Sequence, residues 1–293
     1  MLIKTAFKFA SKVKAKAVVI HADPLDDLIY EDRIPKSQKI VLVARSKGRK
    51  FETNGEDLKN LAFHAKSTII LPKIQVTRIA LIKLATTLAL SQDIINSGDK
   101  VVFCVGPSNT GALDLIHIVD TGRESDIITG KGLTKLAEAV KPELFQTVLN
   151  LVVELADKGR EGKPVGTIFV LGDHEKVLQL SKQMIMNPFK GYEVDDRNIM
   201  NASLKETVRE FAAMDGAFII GDDGTILTSG RYLGAAIDES TLPRGLGSRH
   251  IAAAGITALT KAIAFVISES SGDVRIFKDG KILMHIEKGP SKA

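Results

Sequence analysis

At 293 residues, with 44% hydrophobic and 26% charged positions, the chain is longer than one ordinary domain and supplies apolar side chain for two modest cores. A single cysteine, Cys104, excludes an internal disulfide and a cysteine metal cage, and apolar runs such as Ala217 to Gly221 and Ile263 to Ile267 are far shorter than the roughly 20 residues that cross a bilayer. The net charge of +5 is one-sided: residues 1–125 carry 19 Lys and Arg against 13 Asp and Glu, and the remainder 21 against 22.

No signal-like segment opens the chain, so a soluble, cytoplasmic protein with no membrane association is expected. In the basic first part, Lys4, Lys8, Lys12, Lys14 and Lys16 are interleaved with apolar residues. That spacing reads as a solvated amphipathic face, with nucleic-acid binding as the lesser alternative. Aromatic residues make up 5% of the chain and tryptophan is absent, which leaves little for a base-stacking surface.

Short β-branched runs at Ala17 to His21, Ile40 to Ala44, Thr68 to Leu71 and Val101 to Val105 read as buried strands, the last holding Cys104, and Ile79 to Ile95 reads as a helix. Near-continuous apolar strands alternating with helices predict a mainly parallel sheet covered on both faces. The stretch Ser97-Gly98-Asp99-Lys100-Val101-Val102-Phe103-Cys104-Val105-Gly106 is similar to the closing section of pyruvate kinase C-terminal domains. Residues 1–125 are therefore expected to form a parallel-sheet α/β domain of that type.

A charged, glycine-bearing stretch, Gly122 to Gly132, marks the expected boundary, with a second domain over 126–293. There, Leu133 to Lys158 has helical periodicity broken by Pro142; Val165 to Leu171 reads as a strand, and Glu175 to Met184 and Leu204 to Ala213 as helices. Strands Ala217 to Gly221 and Ile226 to Thr228 flank Gly221-Asp222-Asp223-Gly224, whose Asp-Gly pair favours a tight hairpin and makes both aspartates turn residues in preference to metal ligands. A helix from about Ile251 to Ala264, a strand Phe265 to Ser268, and a hairpin of Asp273 to Phe277 with Lys281 to His285 complete the expected elements.

Three stretches are candidates for chemistry, each with a plainer alternative. Asp215 directly precedes an apolar strand, where a carboxylate can face a ligand and Gly216 permits close backbone approach; an ordinary helix-to-strand turn has the same composition. Leu242-Pro243-Arg244-Gly245-Leu246-Gly247-Ser248-Arg249-His250 leads into an alanine-rich helix, and its glycines, helix-start amides, Ser248 and Arg249 suit a phosphate cradle or, equally, simple helix initiation with Ser248 as cap. Ser268-Glu269-Ser270-Ser271-Gly272 ends a strand with hydroxyls and one carboxylate, which can hold phosphate oxygens or a divalent cation or can be common turn formers.

Taken together in this order, Asp215-Gly216-Ala217, Ser229-Gly230-Arg231-Tyr232-Leu233, Gly247-Ser248-Arg249-His250 and Ser268-Glu269-Ser270-Ser271-Gly272 resemble the diadenylate cyclase (DAC) domain, across about residues 140 to 288. With the segment ahead of it, the architecture resembles the archaeal type. The resemblance implies a central mixed β-sheet flanked by helices, and condensation of two ATP into cyclic di-AMP and two pyrophosphates by two opposed DAC domains with Mn²⁺ or Mg²⁺. It implies Asp215, Arg249 and His250 as catalytic residues. Gly216, Ala217, Tyr232, Leu233, Gly247, Ser248, Ser268, Glu269 and Ser270 would bind nucleotide, and Asp215, His250 and Glu269 the metal. Tyr232 and Leu233 would line the adenine, with core packing as the alternative.

The sequence departs from that pattern at Ile251, where most bacterial members place a second arginine, and at Met214, where some place a metal-binding histidine. Arg244 is the candidate replacement for the missing charge. The departure at 251 also admits a second function, an adenine-nucleotide sensor with weak or no turnover. A third, of another class, makes the basic N-terminal part a nucleic-acid binder that the C-terminal part regulates.

Overall fold

The computed structural model describes residues 2–25, 39–45, 61–71, 76–107, 112–123, 140–161, 165–235, 242–243 and 245–288. The chain divides into two compact units, Met1–Lys73 with Thr77–Leu133, and Ile74–Val76 with Thr134–Ala293. The expected boundary at 125/126 and the beginning of the helical stretch at Leu133 lie outside the described residues, as does Arg244.

The first unit runs α1 (Leu2–Val13), β1 (Ala17–His21), β2 (Lys39–Ala44), α2 (Leu61–His64), β3 (Ala65–Ile70), α3 (Arg78–Ser91), β4 (Lys100–Val105) and β5 (Leu115–Asp120). Its sheet has the order β3-β2-β1-β4-β5, with β5 alone antiparallel. Every residue of β1 is buried, as expected of a parallel strand with both faces covered. On one face Ala6, Phe7 and Ala10 of α1 pack with Val18, Ile20, Ile40, Leu42, Val102 and Cys104. Lys4, Lys8, Lys12, Lys14 and Lys16 are all exposed, so the interleaved lysines form a solvated face. Burial pushes the Cys104 thiol up to about 12, which keeps it protonated and inert.

The helix expected to reach Ile95 stops at Ser91, where Gln92 caps it and Asp93 turns left-handed at φ 53°. Strand β3 begins three residues before the expected Thr68, and β5 was not expected at all. As an edge strand it is only partly buried and shows neither a continuous apolar run nor strict alternation.

The second unit runs α4 (Pro142–Lys158), β6 (Thr167–Leu171), α5 (His174–Gln179), β7 (Ser181–Gln183), α6 (Lys205–Ala212), β8 (Ala217–Ile220), β9 (Ile226–Leu233), α7 (Ser248–Leu259), β10 (Ile263–Ile267), β11 (Val274–Lys278) and β12 (Lys281–Ile286). These strands form one mixed sheet, β12-β11-β10-β6-β8-β9-β7, in which only β6 and β8 run parallel. Alternation along the strands sorts its two faces. Ile168, Val170, Ala217, Ile219, Ala264, Val266 and Phe277 pack under Ala253, Ala254 and Ile256 of α7. Phe169, Phe218 and Phe265 belong to the other face, where Phe169 stacks on Phe218 at 4.7 Å and Phe145 of α4 meets Phe265 at 5.3 Å. Each such fully buried ring contributes roughly 2 to 3 kcal/mol over its exposed state.

Three expectations are corrected in this unit. Pro142 starts α4 instead of breaking a longer helix, because proline's fixed φ and missing N–H suit the first helical position. The helix expected over Glu175 to Met184 ends at Gln179, and Ser181 to Gln183 pair with β9 as a strand. Arg231 enforces that ending: its Nη2 donates to the carbonyls of Leu178 (2.7 Å) and Ser181 (2.8 Å), so the last turn is satisfied by a guanidinium and not by another helical turn. Finally, α7 spans Ser248–Leu259, earlier at both ends than read from the sequence. The Gly221 to Gly224 turn forms as expected, and Asp223 is spent on it, accepting from Thr225 N (2.9 Å) and Oγ1 (2.8 Å).

Candidate functional site

Pairing of Ile267 with Thr167 and of Ile168 with Ala217 brings three strand ends together: the starts of parallel β6 and β8 and the finish of β10. Asp215 precedes β8, Gly166 precedes β6 and Ser268 follows β10, so chain segments distant in sequence meet at one end of the sheet. The N-terminus of α7 faces the same place. Gly245 to His250, Ile267 to Ser271, Asp273 and Arg275 line a cavity of about 490 Å³ there.

Arg249 joins the parts. Its Nη2 donates to Asp215 Oδ1 at 3.0 Å and its Nη1 to Glu269 Oε2 at 2.9 Å, so one planar fork spans two carboxylates that sequence places 54 residues apart. Asp215 is 81% exposed and Glu269 63%, while the arginine between them is 31% exposed. Room for this arrangement comes from Gly166, where an added Cβ would lie 2.8 Å from Arg249 Nη1 and from Glu269 Cβ. Gly166 was not singled out from the sequence. A glycine just ahead of a strand looks like any turn, and its role appears only when residues 249 and 269 are seen to cross it.

Helix α7 has Gly247 as N-cap and no side-chain cap; Ser248 is its first helical residue and not the capping serine foreseen. His250 N and Ile251 N both turn back to Gly247 O, at 2.9 and 3.3 Å. The earlier amides are left to the cavity, where a helix start and its dipole favour an anion.

Strand geometry divides the other candidates. Gly216 has φ 107°, and a Cβ there would come within 2.6 Å of the Gly230 carbonyl carbon, so its close approach is to the backbone of β9. Ala217 and Leu233 belong to the core beneath α7. Tyr232, on the opposite side of β9 from Leu233, is 58% exposed, because successive strand residues point to opposite faces. The two are thus not brought together as a single lining. Ser268 is buried, with its Oγ 3.2 Å from Ser270 Oγ, and both hydroxyls border the cavity.

His250 is 6% exposed, and its Nε2 lies 3.2 Å from Arg275 Nη1. Since a guanidinium only donates, Nε2 accepts, and the neutral ring carries its proton on Nδ1, which has no partner among the described residues. Burial first, then the nearby charge of Arg275, pushes the ring down to about 4, against the partial opposition of Asp273 and with further lowering from His285 and Arg249. Asp273 accepts from His285 Nε2 (3.2 Å) and from Lys288 N (3.1 Å) and faces Arg275 Nη2 at 3.6 Å.

Because the unfolded chain takes up a proton on this ring near its ordinary 6.5 while the folded chain does not until about 4, stability conferred by neutral His250 is complete above pH 6.5 and drains away as pH falls toward 4. The expected loss is on the order of 3 kcal/mol across that window, at about 1.4 kcal/mol per pKa unit. Urea unfolding at pH 7 and pH 4.5 should show the loss in the wild type and much less of it in His250→Asn. Equal acid sensitivity of the two would remove the ring from the account.

The expected metal trio is not assembled. Among the described residues no group of three His, Cys, Asp or Glu side chains could hold a metal ion. Asp215 and Glu269 share Arg249, whereas the accepting nitrogen of His250 faces Arg275, which a cation would have to displace. Nor is any helix of the described residues long and apolar enough to cross a membrane.

Residues 154–282 match the family described as DisA bacterial checkpoint controller nucleotide-binding, and residues 1–126 match the probable sensor domain DacZ_P. A diadenylate cyclase of Methanocaldococcus jannaschii is 40% identical over 200 residues, 68% of this chain and 63% of that protein. A diadenylate cyclase of Haloferax volcanii is 36% identical over 200 residues, 68% of this chain and 72% of that one. The matched region thus spans a little under two thirds of the first relative and a little over two thirds of the second. A crystal structure of DacA from Staphylococcus aureus is 27% identical and covers 48% of this chain and 84% of that chain with a TM-score of 0.35.

Proposed function

Because the chain belongs to the diadenylate cyclase family, we propose that it condenses two ATP molecules into cyclic di-AMP, releasing two pyrophosphates. The observation that carries this is Arg249 held between Asp215 and Glu269 beside the uncapped start of α7, an anion site with a carboxylate at its edge. In each of two equivalent steps a ribose 3′-hydroxyl attacks an α-phosphorus, a new P–O bond forms, the bond to the β-phosphate oxygen breaks, and pyrophosphate leaves with the electron pair. Asp215 holds or accepts the hydroxyl proton. Arg249, Ser248, Gly247 and the helix start take the phosphates, with Ser268 and Ser270 hydroxyls beside them. Tyr232 offers the exposed ring for adenine.

One such cavity presents one ATP, so ring closure needs a second chain with its Asp215 opposed; orientation is what that pairing supplies. The hard oxygens of Asp215 and Glu269 fit a divalent cation such as Mn²⁺ or Mg²⁺, and His250 does not. When bound, that cation neutralises charge on the phosphates. For the first unit we retain the pyruvate-kinase-C-terminal-like assignment and a boundary at 125/126, supported by the Ser97 to Gly106 stretch and by a sheet whose order reverses between β1 and β4.

The test is to incubate purified protein with ATP and Mn²⁺ or Mg²⁺ over a range of protein concentrations and to identify product by mass spectrometry. Cyclic di-AMP forming with a rate that rises faster than linearly in protein supports an opposed pair. ATP binding without product under every condition leaves the nucleotide-sensor alternative. A steric variant probes the geometry: Gly166→Ala should fold normally by circular dichroism yet lose on the order of 10²-fold in rate, since the new methyl displaces Arg249 or Glu269 and displacements of about 1 Å are that costly. Wild-type turnover in this variant would show that the crossing at 166 is not used.

A further inference from the structure

Arg275 has no place in the motifs read from the sequence, yet it lines the same cavity as Arg249, reaching it from β11 and not from α7. It pairs across strands with Val266 of β10 and His285 of β12, and stands two residues before Phe277 of the core. Alternation therefore places it on the face that α7 covers, in line with the apolar Val266 and Phe277. A cation there needs a reason. Its partners hold it at the edge of the core: Nη1 donates to His250 at 3.2 Å, and Nη2 faces Asp273 at 3.6 Å, beyond hydrogen-bond length. A guanidinium has five N–H donors, and among the described residues this one satisfies few of them.

The carboxylate beside it is also committed elsewhere. Asp273 takes His285 and the Lys288 amide, and these bonds hold it below the usual carboxylate range in spite of its burial. It thus remains an anion, oriented by β12, that steers Arg275 without closing around it. The remaining charged groups on the cavity wall are Arg249, already engaged by Asp215 and Glu269, and Glu269 itself.

We propose that Arg275 is a phosphate-binding residue of this site, closing on the nucleotide phosphates from the β11 side while the start of α7 and Arg249 hold them from the other. The inference rests on the site being a nucleotide site and goes beyond it by assigning the second cation to β11. It also accounts for His250: a neutral, buried imidazole accepting from Arg275 fixes the direction of the fork, which makes the histidine a positioning residue. Position 251, one residue along α7, has no charge to offer, and Arg275 supplies a second positive group from the sheet instead.

The test uses 3′-deoxy-ATP, which binds but has no nucleophile, so it reads the site whether or not the protein turns over. Its affinity, and that of 3′-deoxyadenosine in competition with it, are measured by calorimetry for wild type, Arg275→Gln and Arg275→Met, after circular dichroism establishes which variants fold. Glutamine can still donate to His250, so it preserves the fold if methionine does not. Loss of roughly tenfold to a hundredfold for 3′-deoxy-ATP in a folded neutral variant, with 3′-deoxyadenosine unchanged, is the expected result and matches one charge-assisted hydrogen bond. Unchanged 3′-deoxy-ATP affinity overturns the assignment, and so does an equal loss for both ligands, which marks a structural role. Absence of cyclic di-AMP from the wild type overturns the proposed reaction and leaves the affinity comparison standing.

Discussion

Replacing Asp215 by Asn should leave a folded protein whose cyclic di-AMP synthesis falls on the order of 10³-fold, the scale of losing a positioned proton acceptor. The side chain is exposed and its hydrogen bond among the described residues is the one from Arg249, so the core does not register the change. An amide of the same shape cannot take the hydroxyl proton, and it offers a cation no negative charge. ATP affinity moves the other way. Removing an anion from the edge of a phosphate site relieves repulsion, so ATP should bind as well as in wild type or somewhat better. Initial rates at saturating ATP, set beside calorimetric affinity, separate the two effects. Turnover within tenfold of wild type would take Asp215 out of the chemistry.

Arg249→Met should damage both binding and rate. Without the guanidinium, Asp215 and Glu269 face an incoming polyphosphate with no cation between them, turning an attractive site into a repulsive one. ATP affinity is expected to fall about a hundredfold, from one lost charge-assisted contact plus the uncovered carboxylates, and the rate at saturation by a further factor of ten or more. Arg249→Lys should recover little of this. A single ammonium on a flexible stem cannot reach both carboxylates with the planar geometry that Gly166 accommodates. Unchanged ATP affinity in Arg249→Met would exclude the phosphate role, and full rescue by lysine would exclude the two-pronged one.

The parallel sheet of the first unit was legible because its inner strands β1, β2 and β4 are near-continuous apolar runs, and the second unit's Asp215, Arg249 and Glu269 were legible through motifs that the fold brings into contact. What was not legible has specific causes. Arg231 was read with the Ser229 to Leu233 stretch, but its guanidinium ends α5 on carbonyls 50 and 53 residues away, a tertiary clasp that leaves no local pattern. The strand read as ending at Thr228 continues to Leu233 because Gly230, φ 69°, resembles a terminator yet stands where Ile185 leaves no room for a Cβ. Ala217 and Leu233 were assigned to nucleotide by motif, whereas strand parity sends both to the core under α7. Arg275 escaped because an arginine in a short hairpin strand reads as an outward-facing residue; only the register with Val266 turns it inward.

The clasp of Arg249 by two acidic side chains has a kinetic side as well. The guanidinium is fixed before any nucleotide arrives, so little rotamer freedom remains to be surrendered on binding. Those same carboxylates wait to recapture it, and each departing pyrophosphate competes with them for the fork. A site built this way trades depth of binding for ready release. It suits the proposed reaction, in which two successive adenylyl transfers leave two polyanionic by-products to be released for each ring closed.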